Sequence, residues 1–167
     1  MITLNKVSFS YKGGQEKSLH EVSLHIPKGQ CVLLCGVSGC GKTMITRLIN
    51  GLVPHFFEGD LSGEITVNGL DAKQADILKL SDIVGTVIQN PRTQFFNTDT
   101  DSEIVFGLEN RGLPSKVLSN RLERVNEELH TQNLCGRSIF ELSGGEKQKI
   151  AFASVYATSP DIFVLDE

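Results

Sequence analysis

Apolar and polar residues alternate from residue 2 to residue 9, with Ile2, Leu4, Val7 and Phe9 as the apolar set and Asn5-Lys6 as an interruption. A period of two predicts a strand with one buried face, and the polar, Gly-rich YKGGQEK ends it. HEVSLHIPKG alternates again, placing Val22, Leu24 and Ile26 on one side. The pattern then changes. CVLLCG at 31–36 is continuously apolar, which predicts a strand covered on both faces. Ile45, Leu48 and Ile49 have helical spacing, and Gly51 is placed to close that helix. GEITVNGL predicts a short strand with an Asn-Gly turn, and DIVGTVIQ an apolar strand ending at Gln89. Residues 102–134 predict helices broken at RGLPS, with Val117, Leu118, Leu122, Val125 and Leu129 as the apolar stripe. EKQKIAFASVYATS predicts a helix with Ile150, Ala151, Ser154 and Ala157 on one face, ended by Pro160 before a last strand in DIFVLDE. Strands alternating with helices from residue 31 onward predict an α/β core with a parallel sheet, and the N-terminal strands an antiparallel layer beside it.

Composition narrows the partners. The 167 residues are 40% hydrophobic and 22% charged, with a net charge of −4, the profile of one ordinary globular domain. No basic run is present, so nucleic acid is not an expected partner. The N-terminus lacks a signal-peptide pattern, and no apolar stretch approaches the roughly 20 residues of a membrane helix. Cys31 and Cys35, four positions apart on one strand, would lie about 13 Å apart, too far for a disulfide. They are expected to be reduced core thiols.

Three stretches carry chemistry. GVSGCGKT at 36–43 fits G-x-x-x-x-G-K-[ST], between a predicted strand and a predicted helix, the context of a phosphate-binding loop. Gly36, Gly39 and Gly41 let backbone N–H groups curl around phosphate oxygens, with Ser38 and Cys40 in the same loop, and the helix N-terminus adds a favourable dipole. Lys42 would supply a positive charge to the β- and γ-phosphates of ATP, and Thr43 a hydroxyl to Mg²⁺. DIFVLDE brings Asp166 and Glu167 to the C-terminal end of a strand, where open α/β sheets bind ligands. Asp166 would hold Mg²⁺ directly or through water, and Glu167 would polarise the attacking water as a general base. LSGGEKQ offers Ser143 as a helix cap with Glu146 three residues on, a capping-box spacing. That alone describes a helix start, but Gly144 and Gly145 cost helix stability and suit a close approach to an anion.

In this order, GVSGCGKT, LSGGEKQ and DIFVLDE resemble the ATP-binding subunits of ABC transporters, and the resemblance covers nearly the whole chain. It implies a P-loop NTPase core of ABC ATPase type with an antiparallel β layer and a helical subdomain, within one nucleotide-binding domain over 1–167. The helical subdomain would be inserted in the core at about residues 90–150. It also implies head-to-tail pairing of two such domains around two ATP molecules. Ser143, Gly144 and Gly145 would then face the γ-phosphate held by the partner's loop. Tyr11 stands where an aromatic side chain stacks on adenine in this family, and Gln89 where a glutamine contacts Mg²⁺ and the attacking water and links the site to the membrane partner.

QNPRTQFFNTDTDSEIVFGLEN and NGLVPHFFEGDLSGEITVNG are similar to the energy-coupling factor (ECF) group, notably its thiamine-precursor members. These prokaryotic importers take up vitamins, vitamin precursors or transition-metal ions. That implies a protein peripheral to the cytoplasmic face of the membrane, partnered by a transmembrane coupling component and a substrate-binding membrane protein, with Gln94 near the coupling surface. The second ATP-binding domain could be identical, paralogous or on the same polypeptide. The alternatives are an ABC ATPase of another transporter class, a soluble ABC ATPase, or a nucleotide-binding fragment that does not hydrolyse ATP. The family continues past the catalytic glutamate to an interface aspartate and a histidine. His20, His25, His55 and His130 all precede the last strand, so the expectation is a domain with its C-terminal part missing, inactive by itself.

Overall fold

The computed structural model describes residues 1–13 and 18–166, which fall into two compact units, Met1–Val84 and Gly85–Glu167. The first is built on β1 (Ile2–Tyr11), β2 (Leu19–Ile26), β3 (Gly59–Val67) and β4 (Leu70–Asp71), in the order β2-β1-β3-β4 with every pairing antiparallel. The alternating residues behave as expected, and Ile2, Leu4, Val7 and Phe9 are all buried. The Asn5-Lys6 interruption is a break in register, with β1 slipping against β2 between Leu4 and Val7 and against β3 between Asn5 and Ser8. Lys6 takes a positive φ of 48° there. Opposite it Gly63 has no room for a Cβ, which would strike the Asn5 and Lys6 backbone. Serine side chains satisfy the displaced amides. Lys6 N–H donates to Ser23 Oγ at 3.0 Å, and Glu21 N–H to Ser8 Oγ at 2.9 Å. Asn68 and Gly69, at φ 48° and 85°, make the expected tight turn into β4.

Helix α1 (Lys42–Ile49) buries Met44, Thr46, Leu48 and Ile49, and Gly51 at φ 78° follows its cap residue Asn50. A short turn α2 (Leu52–His55) and helix α3 (Ile77–Ile83), capped by the Asp76 carboxylate, complete the unit.

One expectation fails. Residues 31–36 form no strand among the described residues, and all of them but the half-buried Leu34 are exposed. Leu33 is 84% exposed, and Cys31 and Cys35 are exposed free thiols, not core residues. The four-stranded sheet β2-β1-β3-β4 does not include the run. An apolar run becomes a buried strand only where other strands supply its ladder and its cover.

The second unit holds β5 (Val84–Val87) from Gly85 onward and β6 (Ile162–Leu165), paired as a two-stranded sheet, with α4 (Thr100–Glu109), α5 (Ser115–Leu129) and α6 (Gly144–Ala157). β5 ends at Val87, two residues before Gln89. Ile104, Leu108, Val125, Leu134, Leu142, Ile150, Ala153 and Ala157 form one core, against which Leu118, Leu122 and Leu129 of the expected α5 stripe also pack, while Val117 points outward. Small residues let these elements close up. A Cβ on Gly107 would meet Thr158, and one on Gly85 would meet Val155 and Pro160. Arg121 of α5 ties off the end of α6, donating to the carbonyls of Ala157 (2.9 Å) and Tyr156 (2.8 Å).

Candidate functional site

Residues 36–41 form an exposed loop that opens directly into α1. Two of its glycines have positive φ, Gly39 at 81° and Gly41 at 97°. The backbone therefore curls in a way that side-chain-bearing residues rarely adopt. A Cβ on Gly41 would also run into Leu19 and the Ser18 carbonyl, and one on Gly36 into Cys40 Sγ. Lys42 folds back over this loop. Its Nζ donates to the carbonyls of Gly36 and Val37, both at 3.0 Å, and lies 3.8 Å from Cys40 Sγ. The ammonium is thus held at the mouth of the loop, where a polyphosphate could replace two neutral carbonyls by charged oxygens. Ser38, Cys40 and the Thr43 side chain next to Lys42 are exposed, so the cradle and a hydroxyl for a metal ion occur together. The residues present fit a nucleotide polyphosphate.

At the end of β1, Tyr11 is 37% exposed. Phe9 and Phe57 meet its ring edge-on, with centroids at 5.1 and 6.4 Å. Arg47 of α1 donates to its hydroxyl at 2.9 Å. The sequence reading missed Arg47. Its only signal was a cation on the helix that follows the phosphate loop.

In the second unit, Ser143 is the N-cap of α6 and forms a complete capping box with Glu146. Ser143 N–H and Oγ–H both donate to Glu146 Oε2, at 2.8 and 2.7 Å. Hydrogen bonds from Ser143, helped by Arg137 at 3.3 Å, hold the Glu146 carboxyl below its usual range. A Cβ at Gly144 or Gly145 would meet nothing within 4 Å. The fold of this chain does not require glycine there. A groove of about 410 Å³ runs beside them, lined in part by Asn90, Arg92, Gly144, Gly145 and Lys147. Lys147 is buried and donates to the Leu142 carbonyl at 2.6 Å.

Gln89 is exposed just past β5. Asp166 follows β6, its N–H donating to the Val87 carbonyl at 2.9 Å, so both residues leave the same two-stranded sheet. Glu167 lies outside the described residues. The sequence did not disclose the two structural anchors of the 89–99 loop, one of which is Gln94, expected near a coupling surface. Gln94 receives Ile88 N–H at 3.1 Å and donates to the Ala151 carbonyl at 3.3 Å. Glu103, 2% exposed, accepts from the Phe96 and Asn97 amides at 3.0 and 2.9 Å. A lone glutamate in an otherwise apolar helix face was the available signal. Among the described residues no helix is long and apolar enough to cross a membrane.

The glycine-rich loop, the antiparallel layer and the helices define a P-loop fold of the ABC ATPase class. Residues 19–167 match the family model described as ABC transporter, and the chain belongs to that family, whose ATP-binding domains are generally ATPases. A Treponema denticola protein provisionally named an ABC transporter ATP-binding protein is 74% identical over the whole chain. A Streptomyces coelicolor protein of the same kind is 40% identical, again over the whole chain. The chain spans about a third of the length of these curated relatives, 34% and 30%. Among solved structures, it resembles cbiO1 of Clostridium perfringens, described as part of the ABC transporter complex cbiONQ. The TM-score is 0.86 and the identity 25%, over 99% of this chain and 64% of cbiO1. The ATP-binding cassette MJ0796, a dimer bound to ADP and phosphate, shares the fold at TM-score 0.81 and 24% identity, over 100% of this chain and 74% of that one.

Proposed function

We propose that this chain belongs to an ATP-hydrolysing domain that powers an ECF-type importer of a vitamin, vitamin precursor or transition-metal ion. The observation that carries the ATPase reading is the loop at 36–43, with Lys42 Nζ poised on the Gly36 and Val37 carbonyls at the start of α1. Gly36, Ser38, Gly39, Cys40 and Gly41 wrap the β- and γ-phosphates with backbone amides, and Lys42 moves from its two carbonyls onto them. Thr43, Gln89 and Asp166 would hold Mg²⁺, which neutralises charge on the phosphates. Glu167 accepts the proton of the attacking water, and Gln89 orients that water. Tyr11 stacks on the base.

Ser143, Gly144 and Gly145 are read as the contact to ATP held by a second domain. The open space at both glycine Cβ positions supports this, because it leaves the demand for glycine to something outside the chain. Relatives about three times as long leave room for that second domain on the same polypeptide. The helices within roughly 90–150 would form the subdomain that meets the membrane components, at the cytoplasmic face. Similarity to cbiO1 and the QNP and EIVFGLEN stretches support the ECF type.

The test uses the full protein. ATP titration followed calorimetrically should show affinity falling at least about 100-fold in Lys42→Ala, from loss of charge-assisted hydrogen bonds to two phosphates. Unchanged affinity would remove the loop from the site. Purification of the native complex from membranes should yield a transmembrane coupling protein and a separate small substrate-binding membrane protein. Recovery with a soluble partner alone would reject the importer reading.

A further inference from the structure

Tyr11 is the last residue of β1, and three contacts fix its ring. Phe9 and Phe57 pack against it edge-on, at interplanar angles of 78° and 79°. The third contact is of a different kind. Arg47 NH1 donates to the phenol oxygen at 2.9 Å, and the Arg47 guanidinium lies 4.3 Å from the centroid of Phe57. Arg47 is itself fixed at both ends, by its place on α1 and by the Phe57 ring.

Helix α1 begins at Lys42, so one rigid element carries the phosphate-binding lysine at its start and the Tyr11 anchor in its last turn. Lys42 and Arg47 are five residues apart, about 7.5 Å along the axis. We infer that Arg47 is a positioning residue for the nucleotide base: it holds the Tyr11 ring at a set distance from the phosphate loop and touches no phosphate itself. This rests on the reading of Tyr11 as the base platform.

Two physical consequences follow. A phenol that accepts from a guanidinium loses ring freedom, so less entropy is lost when a base stacks on it. The donated proton also draws electron density from the ring, which favours stacking on an electron-rich purine. Lysine could reach the hydroxyl but could not cover Phe57 with a flat cation. Arg47→Lys should therefore restore only part of what Arg47→Met removes.

The test compares ATP with inorganic triphosphate, which has no base, by calorimetry on the full protein. Arg47→Met should weaken ATP binding about fivefold and leave triphosphate binding unchanged, a loss in the range of one ordinary hydrogen bond. Tyr11→Phe, which keeps the ring but removes the acceptor, should match it, and the double variant should lose no more than either single one. Equal weakening of ATP and triphosphate by Arg47→Met would mean that Arg47 acts on the phosphates, and additive losses would mean that the two residues act separately. Either result overturns the inference. Tyr11→Ala separates this from the underlying reading. If it weakens ATP selectively while Arg47→Met does not, the positioning role fails alone. If Tyr11→Ala also leaves ATP binding unchanged, the platform itself is misassigned.

Discussion

The two glycine-bearing helix starts in this molecule are supported in opposite ways. The start of α6 at Gly144 is anchored in a full core. Leu142 and Ile150 are buried, the capping box closes its first turn, and Arg121 seals its last. The start of α1 at Lys42 is preceded by an apolar run, 31–36, that forms no strand and is exposed at every residue but Leu34. Their glycines differ too. Gly39 and Gly41 are imposed by the backbone, at positive φ, whereas Gly144 and Gly145 occupy ordinary helix with open space around them. One region owes its sequence to its own folding, and the other carries residues that its folding does not ask for.

The core contrast can be broken by truncation. Ile150→Ala should cost about 2–5 kcal/mol in denaturant unfolding, as for a fully buried aliphatic side chain. Leu33→Ala, at a side chain 84% exposed, should stay within about 0.5 kcal/mol. A large loss at Leu33 would show that the run is covered in the protein in solution.

The glycine contrast sharpens next. Gly41→Ala should destabilise by about 1–3 kcal/mol, since φ is 97° and the new Cβ meets Leu19. Gly144→Ala should be neutral or stabilising by up to about 1 kcal/mol, while it weakens ATP-dependent pairing in sedimentation. A destabilised Gly144→Ala would return that glycine to the fold.

Smallest is the cap itself. Ser143→Ala should cost about 1 kcal/mol at neutral pH. Because the folded-state pKa of Glu146 is depressed, the box contributes fully above the unfolded carboxylate range and is lost as pH falls through the folded value. The gap between Ser143→Ala and the parent should therefore narrow in acid, as urea unfolding at several pH values can read. A gap that widened in acid would contradict the assignment.

Legibility in the sequence followed the range of the forces. The capping box, the Asn-Gly turn and the loop glycines are set within a few residues, and they were readable. So was the Asn5-Lys6 interruption, although only the structure identifies it as a register break opposite Gly63. Burial of 31–36 was misread because continuous apolarity reports what a strand would need, not whether partner strands are there to supply it. The anchoring roles of Gln94 and Glu103, and Arg47 itself, escaped for a related reason. Their partners, Ala151, the Phe96 and Asn97 amides, and Tyr11, are set by chain folding and carry no fixed spacing.

The account turns on polyphosphate seated in the loop at 36–43. Cys40 lies in that loop and is exposed, and so are Cys31, Cys35 and Cys135 outside it. The most direct measurement is alkylation of each thiol, resolved by mass spectrometry, with and without ATP and Mg²⁺ in the full protein. The account predicts that nucleotide slows Cys40 at least about tenfold, the signature of a nearly saturated site, while Cys135 reacts at an unchanged rate. Equal labelling of Cys40 with and without nucleotide would contradict it.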